Sequence, residues 1–232
     1  MGRDTMERLA RRRVILFGVG GVGSWCAEAL VRSGVGNLAI VDGDSVCESN
    51  INRQLMATTT TIGKPKVEVM RQRLLDINPD AEITARKMLF NGETADHFHF
   101  DDYDYVIDAI DSLPDKMLLI LMAARSRATL FSSMGAALKT DPSRIRVTEF
   151  WKVEGDPLAR VLRKRFKAAG EFPEKKFQCV YSDEPPMPQK STGTTCLPTA
   201  DGMQRTHENG SLVHVTAVFG LTLASLVVRD QA

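Results

Sequence analysis

Val14–Gly23 reads VILFGVGGVG, a short apolar run that stops at a glycine cluster, and Ser24–Arg32 behind it has a helix-compatible composition. A strand, a tight glycine turn and a helix start bring backbone N–H groups and the positive end of a helix dipole to one point, where an anionic phosphate binds well. Gly18, Gly20 and Gly23 match G-x-G-x-x-G, and Gly21 adds a fourth glycine that lets a ligand lie close against the backbone. This predicts a nucleotide. Close packing of a strand on a helix produces the same glycines, so the residues that follow decide between the two.

Leu38–Val41 is a second apolar run, and it ends at Asp42. That position falls about 20 residues past the last glycine, where an acidic side chain of a βαβ unit hydrogen-bonds a ribose hydroxyl. Next, Asp42–Leu55 (DGDSVCESNINRQL) is too polar for a core element and too rich in hydrogen-bonding side chains for a spacer, so it reads as a functional loop. In Lys64–Ile77, Val67, Met70, Leu74 and Ile77 recur at helical spacing before Asn78 and Pro79 stop the helix. Strands are predicted at Glu82–Arg86, Tyr105–Ala109 and Thr129–Ser133, with helical segments near Gly92–Phe98 and at Asp115–Arg127. This alternation argues for an α/β fold with a doubly wound, mostly parallel, Rossmann-like sheet. The strand YVIDAID ends in Asp108 and Asp111, at the carboxyl edge where such sheets hold ligands. From Arg144 to Trp151 apolar and polar residues alternate, which predicts an antiparallel extension in the C-terminal half.

At 232 residues with a formal net charge of +1, the chain has a substantial core and no global attraction for polyanions. Its basic residues are instead concentrated locally. Leu158–Lys176 carries Arg160, Arg163, Lys164, Arg165, Lys167, Lys175 and Lys176 against Glu171 and Glu174, either a solvated helix face or an RNA-backbone contact. The four cysteines, Cys26, Cys47, Cys179 and Cys196, form no C-x-x-C pair, which argues against a zinc ribbon and for a reducing, cytoplasmic setting. Cys179 reads as a small buried hydrophobe, whereas Cys196 sits in the irregular stretch Ser182–Asn209 and is the better candidate for a reactive thiol. The four histidines have no ligand spacing, and the N-terminus has no apolar signal region. Val213–Val228 falls short of a membrane span and reads as a buried C-terminal helix within Ser211–Val228.

Taken in order, GVGGVGS, the DGD pair, SNINRQ, GKPKVEVM, INP and DAIDS resemble the ubiquitin-activating-like superfamily of adenylating enzymes, from Val14 to roughly Met134. Within it, GVGGVGSWCAEAL, NRQ, YVIDAIDS, DPLARVLRKRFK and CVYSDE look most like the tRNA threonylcarbamoyladenosine dehydratases, and with these the resemblance covers nearly the whole chain. It implies one adenylating domain over residues 1–232, with a nucleotide-binding part at 14–134 and a part for substrate and dimer contacts at 135–232. It also implies ATP and Mg2+ as cofactors, with K+ or Na+ as a further candidate. Implied partners are a tRNA substrate, a second copy in a homodimer and a sulfur-transfer protein.

The resemblance also assigns residues. Asp42 would bind the ribose, and Asn50, Arg53 and Gln54 would reach the nucleotide and its phosphates. Lys66 would pair with phosphate oxygens, and Asp111 would hold Mg2+ beside the α-phosphate. Arg53, Lys66 and Asp111 would then be catalytic, while Gly18, Gly20, Gly21, Gly23, Asp44 and Ser112 complete the ATP-binding set. The residue types suit this chemistry, since a guanidinium forks onto phosphate and Mg2+ takes one or two hard carboxylates plus phosphate oxygens. Ser112 and Asp115 compete with Asp111 to cap the helix that follows, and Asp108 reads as structural. The implied reaction activates the threonylcarbamoyl carboxylate, and an internal nucleophile then closes a ring with the proximity advantage of a tethered group.

Three rivals stand beside this reading: an enzyme that adenylates the C-terminus of a ubiquitin-like or sulfur-carrier protein, a nicotinamide-dependent oxidoreductase, and an inactive nucleotide-binding module. The carrier activators' zinc-binding cysteine pairs have no counterpart here. Nor does the arginine of the family's upstream helix, since Arg11, Arg12 and Arg13 lie too close to Val14.

Overall fold

The computed structural model describes residues 2–188, 195–199, 202–206 and 210–231, with 195–199 and 202–206 described by backbone alone. In chain order its elements are α1 (Arg3–Arg11), β1 (Arg13–Phe17), α2 (Gly23–Arg32), β2 (Asn37–Val41), α3 (Lys66–Ile77), β3 (Glu82–Arg86), β4 (Tyr105–Asp108) and α4 (Leu113–Arg125). There follow β5 (Thr129–Ser133), β6 (Ile145–Glu149), α5 (Pro157–Ala169), β7 (Gln178–Ser182), β8 (Thr195–Thr199), β9 (Gly202–Thr206) and α6 (Val213–Arg229).

Seven strands form one sheet in the order β3-β2-β1-β4-β5-β7-β6. Every pairing in it is parallel except β6 with β7 at one edge. The alternation of a strand's side chains explains the two cores. Val14 and Leu16 of β1 pack with α2, α3 and α6 on one face, while Ile15 and Phe17 pack with α4 and α5 on the other. This is the doubly wound, mostly parallel sheet with an antiparallel extension that the sequence predicts. β1 leads to β2 on one side and β4 leads to β5 on the other, so a crevice opens between the carboxyl ends of β1 and β4.

Several boundaries differ from the sequence expectation, each for a local reason. The proline at 65 takes the N-cap of α3, so that helix starts at Lys66. Ser112 takes the N-cap of α4, which starts at Leu113. The segment near Gly92–Phe98 contributes a single 3-10 turn, Ala95–His97. The basic helix ends at Ala169 because Gly170 turns left-handed (φ 68°). The stretch expected to be irregular, Ser182–Asn209, contains the antiparallel pair β8–β9. The side chain of Cys196 and all of His207 lie outside the described residues. Helix α1 has no sequence expectation behind it: eight of its nine residues are not buried, and only Leu9 reaches the core.

Two contacts aim these elements at the crevice. Gly220 of α6 lies so close to α2 that a Cβ would stand 2.3 Å from the Val22 carbonyl oxygen. That approach brings Thr216, at the start of α6, beside Gly21. At the opposite end of the sheet, Arg8 donates to the Gln231 carbonyl, and Arg12 donates to Gln231 and Asp104. The arginines at positions 8 and 12 therefore fasten the two chain ends together, away from the crevice.

Candidate active site

The crevice is a cavity of about 980 Å3, roomy enough for a nucleotide and part of a second substrate. Gly18, Gly20, Gly21, Asp42, Asp44, Arg53, Gln54, Lys66, Asp111 and Ser112 line it. Twelve positions were singled out from the sequence, and ten of them are thereby gathered here. The other two sit just behind the wall. Gly23 is buried against Gly18, where a Cβ would fall 1.8 Å from the Gly18 carbonyl oxygen. Asn50 is buried, and its Oδ1 accepts from the Cys47 amide while its carbonyl accepts from the amides of Arg53 and Gln54. Asn50 thus shapes the turn that presents those two side chains.

The glycines divide by role. Gly18 has φ 86°, and a Cβ there would lie 2.6 Å from the Ala109 carbonyl oxygen, so packing and backbone both require it. Gly20 has nothing within 4 Å of an added Cβ, so the space in front of its backbone is open to a ligand. No side chain caps the N-terminus of α2, and its first turn carries no acidic residue. Its N–H groups and dipole are therefore available to an anion.

Asp42 ties this turn to the end of β2. Its Oδ2 accepts from the Val19 amide at 2.7 Å and its Oδ1 from the Asp44 amide at 2.9 Å. Each oxygen keeps a lone pair for a ribose hydroxyl. Burial pushes the Asp42 carboxyl above its usual pKa, against the pull of Lys66 and of the two amides. Lys66 opens α3, where a cation opposes the helix dipole. Its buried ammonium answers this by donating to the exposed Asp44 at 2.7 Å. Arg53 donates to the Ser49 carbonyl and to Asn52 Oδ1, and its stem lies against Gly21.

Two groups are left open. Gln54 is buried in the wall with its Oε1 lacking any hydrogen-bond partner among the described residues. An orphaned buried amide oxygen is costly, and a ligand N–H or O–H in the cavity would satisfy it. Asp111 is exposed and makes no hydrogen bond or ion pair among the described residues. The N-cap position is held instead by its neighbour Ser112, whose Oγ makes no bond to the helix backbone and donates to Asp115 at 2.6 Å. No cluster of three or more His, Cys, Asp or Glu suited to a metal occurs among the described residues. A lone hard carboxylate beside a phosphate site suits Mg2+, which takes its other oxygens from phosphate and water. Asp108, by contrast, is fully buried. It accepts from Lys116 at 2.9 Å, from Ser132 at 2.6 Å and from the Ile110 amide at 3.1 Å, as a structural group should.

The far wall, formed by residues 133–139, 157, 158, 161, 186, 210 and 211, was not marked out in the sequence. Its one charged residue is Lys139, and Asp156 and Glu184 stand behind it, all three buried. Lys139 donates to the carbonyls of Ser182 and Glu184 at 2.9 and 2.8 Å, and burial holds its pKa below the usual lysine value. Asp156 caps α5, accepting from the amides of Ala159 and Gly135. Burial raises its pKa. Glu184 accepts from the amides of Asp141 and Thr140 and from the Thr140 hydroxyl, with the Asp141 amide foremost in lowering its pKa. The Asp156-Pro157 pair is a readable helix-start signal. No comparable pattern marks Lys139 or Glu184.

Among the remaining candidates, Cys179 is fully buried in β7 and burial pushes its thiol well up, so it is an inert hydrophobe. His214 shares a hydrogen bond with the Thr140 carbonyl, and His97 and His99 are exposed. No helix among the described residues is long and apolar enough to cross a membrane.

A switch-point cleft with a glycine turn, an uncapped helix start and free polar groups defines a Rossmann-like nucleotide-binding domain. The profile of the ThiF family matches residues 1–229, and the chain belongs to that family. A Bacillus subtilis tRNA threonylcarbamoyladenosine dehydratase is 44% identical over 187 residues, covering 81% of this chain and 73% of the relative. The crystal structure of the Escherichia coli tRNA N6-threonylcarbamoyladenosine dehydratase, TcdA, in complex with AMP superposes with a TM-score of 0.85 at 34% identity, covering 99% of this chain and 89% of that one. The same enzyme in complex with ATP gives a TM-score of 0.84 with the same identity and coverage.

Proposed function

We propose that this chain catalyses the ATP-dependent dehydration of threonylcarbamoyladenosine at position 37 of tRNA to its cyclic form. Membership of the family and likeness to the dehydratases over nearly the whole chain support the activity. Within the site, the observation that carries the reading is the opening in front of Gly20, bordered by Arg53, Gln54 and Asp111, the last without a hydrogen-bond or ion-pair partner among the described residues. ATP supplies the AMP group that activates the substrate carboxylate, with pyrophosphate leaving. The open backbone at Gly20 and the first turn of α2 receive phosphate oxygens, and Asp42 takes the ribose hydroxyl. Gln54 accepts a hydrogen bond from the nucleotide. Arg53 and Lys66 neutralise the charge that builds on the phosphates, which needs no protein nucleophile. Lys66 exchanges part of its bond to Asp44 for a phosphate oxygen, and Asp111 would hold Mg2+ next to the α-phosphate.

The far wall then positions the modified adenosine so that its internal nucleophile meets the activated carbonyl, and AMP departs. Residues 14–134 are accordingly the nucleotide part and 135–232 the part for substrate and dimer contacts. The resemblance alone supplies two further proposals, a homodimer and contact with a sulfur-transfer protein, and the cysteine usage supplies a third, a cytoplasmic setting.

The test is nucleoside mass spectrometry after incubating the protein, ATP and Mg2+ with tRNA carrying threonylcarbamoyladenosine. We expect the nucleoside to lose one water, dependent on ATP and absent with Arg53→Ala. Exchanging K+, Na+ and a large organic cation in the same assay tests the monovalent requirement. No mass change, together with pyrophosphate exchange driven by a carrier-protein C-terminus, would overturn this reading in favour of a carrier activator.

A further inference from the structure

Outside the cavity, the described surface has one place where large aromatic side chains face solvent among cations. Trp151 is 36% exposed and Phe172 is 50% exposed, with ring centroids 6.0 Å apart. Trp151 rests on a buried aromatic base, and Phe172 leans on Trp151. Trp151 meets Phe150 edge-on at 5.2 Å and Phe166 at 6.5 Å, and Phe150 stacks on Phe177 at 5.0 Å. Arg163 fixes the backbone beneath: its Nη1 donates to the carbonyls of Phe150, Trp151 and Val153. The guanidinium of Arg163 is therefore engaged within the fold rather than free for RNA, and Trp151 is held in place before any partner arrives.

Six nearby cations are exposed and make no ion pair among the described residues: Lys152, Arg160, Lys164, Arg165, Lys167 and Lys176. Of the acidic residues in the basic stretch, Glu174 is taken up by Arg125. Helix α5 links this surface to the cavity. Pro157, Leu158 and Val161 line the cavity. At about 100° per residue, Arg163 lies on the far flank of the helix from Val161, and Arg160 and Lys164 form the ridge between. The ridge is one helix wide, about 10–12 Å, a span that neighbouring nucleotides of a single strand can bridge.

We propose that Trp151 and Phe172 form a stacking platform for an unpaired base close in sequence to the nucleotide held in the cavity, with Arg160 and Lys164 carrying the intervening phosphates. This rests on the tRNA reading above and adds to it which surface grips the strand. The chemistry is that of single-strand recognition, in which aromatic faces stack bases and flanking cations hold the backbone. A second copy of this chain fits the surface poorly, because a two-fold contact would set the six cations against themselves.

The test uses the full chain and an anticodon stem-loop RNA, with the same RNA closed into a duplex as control. Phe172→Ala and Trp151→Leu should each weaken stem-loop binding about tenfold. ATP affinity and the salt slope should not change, because no phosphate contact is lost. Trp151→Phe keeps an aromatic face and should restore most of the affinity, which a merely structural Trp would not require of its replacement. Lys164→Glu should instead lower the salt slope. Stem-loop affinity unchanged in both Phe172→Ala and Trp151→Leu, while wild type still dehydrates tRNA, overturns the platform alone. Wild type that neither binds nor dehydrates tRNA overturns the underlying reading as well. Dissociation of a dimer by Phe172→Ala would mark the patch as a contact between copies and overturn the platform.

Discussion

The two walls of the cavity hold their charges in opposite ways. On the nucleotide wall Asp111 and Gln54 Oε1 have no partner among the described residues, and Lys66 leans on a carboxylate that faces solvent. In and behind the far wall Lys139, Asp156 and Glu184 are buried, and each is tied to backbone groups. The first arrangement leaves charge free to meet charge that arrives with a ligand. The second consumes charge to hold chain segments in place. Substitutions on the nucleotide wall should therefore change chemistry more than stability, and those on the far wall the reverse.

The largest expected effect tests the nucleotide side. Arg53→Ala should lower the rate of ATP-dependent dehydration by about 10²–10³-fold, the usual consequence of removing one group that stabilises transition-state charge. Its melting temperature should stay close to wild type, since the guanidinium is partly exposed and bonds only within its own loop. A fall of more than about 10 °C, which for a chain of this size corresponds to several kcal/mol, would show that the loop is structural and break the contrast.

Next in size is Lys139→Met. It leaves the carbonyls of Ser182 and Glu184 without their buried donor, a loss of about 3 kcal/mol that thermal unfolding would register as roughly 6–12 °C. ATP affinity, measured by calorimetry, should hold. If instead ATP binding collapses while the melting temperature stays, the far wall acts on the nucleotide directly and the division of labour is wrong.

The same division decided what could be read from the sequence. The nucleotide wall is built from strand ends and the loops directly after them, so Gly18 and Asp42 stand at a spacing the βαβ geometry dictates, while Arg53, Lys66 and Asp111 are legible through the resemblance carried by SNINRQ, GKPKVEVM and DAIDS. Lys139 bonds to carbonyls 43 and 45 residues further along the chain. In ALKTDPSR it is one lysine among polar neighbours, and only the neighbouring β5 and β7 bring its partners to it. Asp108 was legible as structural because it sits inside an apolar strand, whereas its buried partner Lys116 looks like an ordinary helix lysine. Helix α1 escaped because it is short and mostly charged and sends one residue, Leu9, into the core.

A smaller effect concerns pH. In the folded chain the amides of Asp141 and Thr140 and the Thr140 hydroxyl hold Glu184 below its ordinary value of 4.5. The unfolded chain therefore takes up the proton first, so this contribution to stability is present above about pH 4.5 and lost as pH falls through the folded value. Asp156 has the opposite sign, since burial raises its pKa and its ionised form is the disfavoured one. Urea midpoints measured from pH 6 downward, in a range of about three units, should fall less steeply for Glu184→Gln than for wild type. Parallel curves would remove Glu184 from the acid response.

The smallest effect lies at Leu138, the one non-glycine among the described residues with positive φ, at 60°. A left-handed leucine costs roughly 1–2 kcal/mol, and it persists because both its backbone groups are bonded: its amide to the Gly210 carbonyl at 2.9 Å and its carbonyl to the Met187 amide at 2.8 Å. Leu138 lines the cavity directly before Lys139, so its turn is what points the lysine inward. Leu138→Gly removes the steric strain but loosens the unfolded chain and gives up a half-buried side chain. The net change in unfolding free energy should therefore stay within about 1 kcal/mol. Its KM for modified tRNA should rise more than its KM for ATP, because the far wall alone loses rigidity. An equal rise in both would mean that the two walls move as one body, and the contrast between them would then be one of charge without any difference in mechanics.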